Sequence, residues 1–192
     1  MLADRTWAVL TELGVDGPVH LVGNSLGGAV AMYMLSARPD RVATMTLVAS
    51  VGFGREVALA LRLLSVGAVA RVVLPRMRAG QARLVERLFV ADRTLVDAER
   101  IALTLRLSRQ PDFADVFVEV VQSVGSLVGG VSAGWRAELL ARMAEHPRPT
   151  LLVWGDRDRV LPPVHLRAAS AALPVASAMS SAIRRTITVT WE

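Results

Sequence analysis

Apolar positions along this chain recur in two rhythms, and the changes between them mark its elements. Leu2, Val9, Leu10 and Leu13 fall at helical spacing around Trp7, with charged residues between, which predicts an amphipathic helix over 2–13. Gly14 is placed to end it, and Asp16-Gly17-Pro18 is turn chemistry. Val19–Val22 is a short apolar run and predicts a buried strand. Gly23-Asn24-Ser25-Leu26-Gly27-Gly28 closes that run, and Ala29, Val30, Ala31, Met32 and Leu35 then follow a helical pattern to about Arg38. Pro39-Asp40 stops this helix, because the residue before a proline is pushed out of the helical region. Val42, Met45, Leu47 and Val48 predict the next parallel strand within 41–50. Helix, strand, helix, strand at this spacing implies right-handed crossovers and an open sheet with helices on both faces.

The alternation then breaks. From Arg55 to about Glu145 no strand signal stands out, and the pattern reads as helices near 55–74, 79–90, 94–109, 112–128 and 134–145. Pro75, Gly80, Pro111 and Gly129-Gly130 punctuate them. A strand returns at Thr150–Trp154, followed by the turn-rich Gly155-Asp156-Arg157-Asp158-Arg159. Pro162-Pro163 opens a last helix through Leu173, since proline suits a first helical turn.

Composition narrows the class. At 192 residues, 53% apolar and 20% charged, the chain is long and apolar enough for one globular domain with a sizeable core. The 22 basic residues are all Arg and give a net charge of +5, but they are scattered singly along helices with one Tyr to stack on bases, which argues against a nucleic-acid binder. Cysteine is absent, so disulfides and thiolate zinc sites are excluded. The start MLADRTWAVL carries Asp4 and Arg5 and shows no signal-peptide pattern. The nearest approach to a membrane span, Val120–Trp135, is Gly- and Ser-rich and reads as a buried helix and turn. A cytoplasmic protein is the default expectation.

The candidate chemistry lies in Gly23-x-Ser25-x-Gly27, between a strand and a helix. In that context the form is a nucleophile elbow: a serine on a sharp, strained turn projects its hydroxyl away from the sheet. Gly23 and Gly27, lacking Cβ atoms, are expected to let helix and strand approach closely. The free N–H groups of the helix start face the site, and the backbone N–H of Leu26, one residue past the serine, is the candidate oxyanion donor. Ser25 is the candidate nucleophile. The bland alternative is an ordinary strand–turn–helix with a Gly-rich corner.

The run LVGNSLGGAVAMYMLSARPDRVATMTLVAS resembles the elbow, following helix and next strand of the α/β-hydrolase superfamily, and PTLLVWGDRDRVLPPVH resembles that family's acid-bearing strand and loop. The resemblance covers roughly Ala3 to Leu173. It implies an α/β fold: a partial α/β-hydrolase parallel sheet flanked by helices, with a helical cap inserted. The expected division is core over 1–51, cap over 52–146 and core again over 147–192. Asp156 and Asp158 both sit on a loop suited to the triad's acid. The family pattern, G-x-x-D followed shortly by proline, selects Asp158 and leaves Asp156 as the expected maker of turn contacts.

The resemblance also exposes gaps. Chain order in this fold is Ser, acid, His. His20 lies five residues before Ser25, His146 precedes the acid strand, and His165 falls on the last helix, where a structural role is expected. Pro174–Glu192, where the family's base would follow, holds no His, although Thr186–Trp191 alternates like a strand. The loop supplying a second oxyanion N–H is missing too, and the expectation is a truncated or frameshifted gene product.

Three readings stand. The chain is a serine hydrolase of an ester or related acyl bond in a hydrophobic small molecule, impaired for want of a His. Or it is an inactive fragment or pseudoenzyme. Or it is a carbon–carbon bond hydrolase of the same fold. No metal or organic cofactor is implied. An exposed sheet edge would favour homo-oligomers.

Overall fold

The computed structural model describes residues 2–90, 92–126 and 128–173, and the backbone of 176–181. In chain order its elements are α1 (Leu2–Glu12), β1 (Val19–Asn24), α2 (Leu26–Ala37), β2 (Val42–Val48), α3 (Leu59–Leu64), α4 (Gly67–Val73), α5 (Ala79–Phe89), α6 (Ala98–Ser108) and α7 (Phe113–Val124). They continue with β3 (Gly125–Ser126), β4 (Gly130–Val131), α8 (Ala133–Glu145), β5 (Thr150–Gly155), α9 (Val164–Ala172) and β6 (Ala176–Ser181).

The chain falls into two compact units. The first takes the chain up to Gly54, Ala133–Trp154 and the segment from Pro163; the second takes Arg55–Ser132 with Gly155–Pro162. This differs from the expected division at two places. Residues 133–145, assigned to the cap from sequence, form α8, which packs on α2 in the first unit. Residues 155–162, assigned to the core, group with the second.

In the first unit the sheet order is β1-β2-β5-β6, and β1, β2 and β5 run parallel. Register separates its two faces. Leu21 and Gly23 stand opposite Met45 and Leu47, which stand opposite Thr150 and Leu152. Met45, Leu47, Leu152 and Trp154 on this face are all at most 1% exposed. α2 packs here, a helix with six buried residues and little polar character, as a helix against a sheet requires. The opposite face carries His20, Val22 and Asn24, all exposed, beside half-buried Thr44, Thr46 and Val48. Val22 is 74% exposed. Sequence spacing implied helices on both faces; at β1 the second face is bare among the described residues.

α1 packs on α2 through Trp7, 1% exposed, whose indole N–H donates to the carbonyl of Met34 at 3.1 Å. The guanidinium groups of Arg38 and Arg41 stack on its ring, 5.6 and 5.4 Å from the centroid. Gly14 ends the helix with φ 71°, a conformation that suits glycine.

The second unit is built from α3–α7 around Ala70, Leu74, Met77, Ala82, Ile101, Ala114 and Val118. The helix expected over 55–74 is two helices. The break at Ser65-Val66 is fixed by Ser65 Oγ donating to the Arg62 carbonyl at 2.6 Å and by Gln122 Nε2 donating to the Ser65 carbonyl at 2.8 Å. The helix expected over 112–128 stops at Val124, where β3 and β4 form a small antiparallel pair in a region read as strand-free. Glu86, 8% exposed, accepts from Arg100 Nε and Thr104 Oγ1, so its burial is compensated. No helix among the described residues is long and apolar enough to cross a membrane. The strand expected at Thr186–Trp191 lies outside the described residues, while β6 forms in a Ser-rich stretch with no strand pattern.

Candidate active site

Ser25 joins β1 directly to α2 with φ 52° and ψ −119°, a backbone conformation that L side chains rarely adopt. Such strain persists only where the surroundings hold it, and here three backbone hydrogen bonds do. The Ser25 N–H donates to the Val48 carbonyl at 2.9 Å, and the Ser25 carbonyl accepts from Gly28 N–H at 3.1 Å and Val51 N–H at 3.0 Å. The side chain is left over. Ser25 stands at the N-cap of α2 yet makes no cap hydrogen bond, so its hydroxyl is not committed to the helix. Gly28 N–H is taken by Ser25, while the amides of Leu26 and Gly27, the first two of α2, have no carbonyl within the helix to bond. The helix start therefore presents uncommitted donors beside the hydroxyl, where negative charge is favoured.

The glycines divide differently from expectation. A Cβ on Gly23 would lie 2.4 Å from the Gly27 carbonyl oxygen and 2.6 Å from Gly28 Cα, so strand and helix touch there backbone to backbone. A Cβ on Gly27 would meet nothing within 4 Å. The second tight position is Gly28, where a Cβ would lie 2.2 Å from Ser50 Oγ and 2.5 Å from Ser50 Cβ. Gly27 thus stands in open space, and Gly28, which sequence reasoning passed over, carries the close packing. The doubled glycine was the available signal; the partner, fully buried Ser50, lies 22 residues on and is invisible to local pattern.

Ser50 belongs to a second strained turn. Ala49, the residue after β2, has φ 42°, and its N–H donates to the Val153 carbonyl of β5 at 2.9 Å. Each bent residue is thus tied to the carbonyl of the next strand in the sheet.

Asp158 lies three residues past the end of β5, in the second unit. Its Oδ1 accepts from the N–H groups of Val160 at 2.8 Å and Leu161 at 2.9 Å, which fixes the carboxylate plane. Sequence reasoning gave the turn contacts to Asp156; Asp158 makes them, and Asp156 is exposed. Because β1 and β5 are parallel, Ser25 and Asp158 each follow the carboxyl end of a strand.

The three histidines lie in three different settings. His20 is exposed on β1, with Nδ1 2.8 Å from Thr44 Oγ1, and five residues of strand put it about 16 Å along the chain from Ser25. His146 follows α8, ahead of β5. His165 is fully buried in α9, its ring 6.0 Å from that of Trp154. No histidine hydrogen-bonds to Ser25 among the described residues. No group of three or more His, Cys, Asp or Glu is placed to hold a metal among the described residues.

Comparison with known proteins agrees with the fold. A family model described as alpha/beta hydrolase fold matches residues 1–180. The dihydrolipoyllysine-residue acetyltransferase component of the acetoin cleaving system of Cupriavidus necator is 33% identical over 162 residues, covering 83% of this chain and 39% of that protein. The 2-hydroxymuconate semialdehyde hydrolase of Pseudomonas putida is 31% identical over 154 residues, 80% of this chain and 50% of that one. Among solved structures, a meta-cleavage product hydrolase from Pseudomonas fluorescens IP01 superposes with a TM-score of 0.67 at 21% identity, covering 92% of this chain and 60% of that one. The chain spans 39% and 50% of the length of these two curated relatives. With the model matched over nearly its whole length, this chain belongs to the α/β-hydrolase family.

Proposed function

We propose that the chain carries the nucleophile of a serine hydrolase acting on an ester or related acyl bond of a small hydrophobic molecule. The observation that carries this is the conformation of Ser25: strained, held by three backbone bonds, with its hydroxyl free of the helix it caps. Ser25 Oγ attacks the carbonyl carbon while its proton passes through solvent water to the departing oxygen, which leaves as the alcohol; the Leu26 N–H stabilises the oxyanion, and a second water hydrolyses the acyl-serine, releasing the acid and returning the proton to Ser25. Asp158 remains the candidate acid by resemblance, its Oδ1 held by two amides of its own loop. With no histidine bonded to Ser25 among the described residues, turnover by this chain alone is expected to lie about two to three orders of magnitude below that of a complete triad.

A fluorophosphonate probe tests this. Peptide mass spectrometry is expected to find the adduct on Ser25, and Ser25→Ala is expected to abolish it. A folded sample that takes up no probe would reject the serine-hydrolase reading in favour of a non-catalytic one.

The 31% identity to 2-hydroxymuconate semialdehyde hydrolase favours a second reading, hydrolysis of a carbon–carbon bond in a vinylogous diketone by the same serine. Bleaching of a ring-fission dienone, set against release of p-nitrophenol from a short acyl ester, separates the two.

A further inference from the structure

Asn24, immediately before the strained serine, is exposed, yet its side chain is committed: Nδ2 donates to the carbonyl of Val48 at 3.0 Å. The same carbonyl oxygen accepts the Ser25 N–H at 2.9 Å. One acceptor with two lone pairs therefore binds two consecutive residues of the turn to the end of β2. We infer that Asn24 is a positioning residue, whose side-chain amide clamps the elbow to Val48 and keeps Ser25 in its strained conformation; this rests on the proposed role of Ser25.

Two tendencies compete at this turn. Ser25 at φ 52° relaxes if its tethers loosen, because a non-glycine residue is disfavoured in such a region. The N–H to Val48 bond holds Ser25 on the strand side of the bend; the other two, from Gly28 and Val51, act on its carbonyl. The Asn24 amide doubles the strand-side hold from the adjacent residue, and its own place in the β1–β2 ladder, opposite Val48, makes the reach short. Only a donor serves here. A carboxylate would set negative charge against the carbonyl, and an apolar side chain would leave the tether single. An imidazole has a ring nitrogen at similar reach and can donate.

Hydrogen exchange in the folded protein decides the matter. In Asn24→Ala and Asn24→Asp the Ser25 amide should exchange at least tenfold faster than in the parent. The amides of Met45 and Leu47, deep in β2, should hold within twofold. Asn24→His should restore most of the Ser25 protection. Fluorophosphonate labelling is expected to follow the same order, with the inactivation rate constant lowered and probe affinity little changed. Unchanged exchange at Ser25 in both the Ala and Asp variants overturns the clamp, as does equal acceleration across β2, which would mark a general loss of stability. A parent that refuses the probe counts against the hydrolase reading, and exchange at Ser25 still decides the clamp.

Discussion

Three glycines around one serine do different work, and substitution should separate them. Gly23→Ala drives a methyl group into the backbone of Gly27 and Gly28, and Gly28→Ala drives one into Ser50, so each should cost about 2–3 kcal/mol. Gly27→Ala meets open space in the first turn of a helix and should leave stability unchanged or raise it by at most about 1 kcal/mol. Denaturant midpoints of the three variants check this, and equal losses at Gly23 and Gly27 would contradict it. At this scale the sequence was partly legible. G-x-S-x-G between apolar runs located the bend and the serine. It did not show that Gly28 meets Ser50, that Asn24 reaches Val48 or that Asp158 and not Asp156 binds the loop amides, because each of these depends on where a neighbouring strand or the loop itself ends up.

Between elements, α2 and α8 meet where Tyr33 faces Trp135, with ring centroids 6.4 Å apart. Burial, and then the charge of Glu138, raise the Tyr33 phenol above its ordinary value of 10.0. A raised phenol pKa means the folded state holds its proton longer than the unfolded one. The associated stability is complete below about pH 10 and is lost as pH rises through the folded-state value. Tyr33 is the chain's one tyrosine, so absorbance of the phenolate reports this site alone. The midpoint is expected above 10 in the folded protein and near 10 after denaturation; equal midpoints would show that the interface does not shield it.

The elements themselves were the most legible level. α1, β1, α2, β2, β5 and α9 stand within a few residues of where apolar rhythm and Gly or Pro stops put them. The single helix expected over 55–74 failed because Ser65 and Gly67 sit inside a pattern whose apolar spacing continues unbroken across them. β6 failed because its Ser-rich sequence carries no period of two.

For the molecule as a whole, the bare second face of β1 at the end of the sheet order sets an expectation about association. A strand at the end of the sheet order among the described residues, carrying an exposed valine, can template pairing. Light scattering after size exclusion should show self-association rising with concentration, and Val22→Lys should suppress it; a parent monomeric throughout would remove the expectation. The net charge of +5 is carried entirely by arginine and does not by itself prevent such pairing. Sequence identified the fold class from two short blocks, while packing groups α8 with the first unit and 155–162 with the second, a grouping that place in the chain does not reveal.

The ties that hold Ser25 come largely from elsewhere: Val48 and Val51 supply two of its three backbone bonds, and Ala49 in turn leans on Val153. A protein engineer who transplants only the pentapeptide Gly23–Gly27 into a foreign scaffold would therefore carry over a motif without its geometry. The smallest portable piece includes the far end of β2, and it works only beside a third strand that braces β2 in its turn.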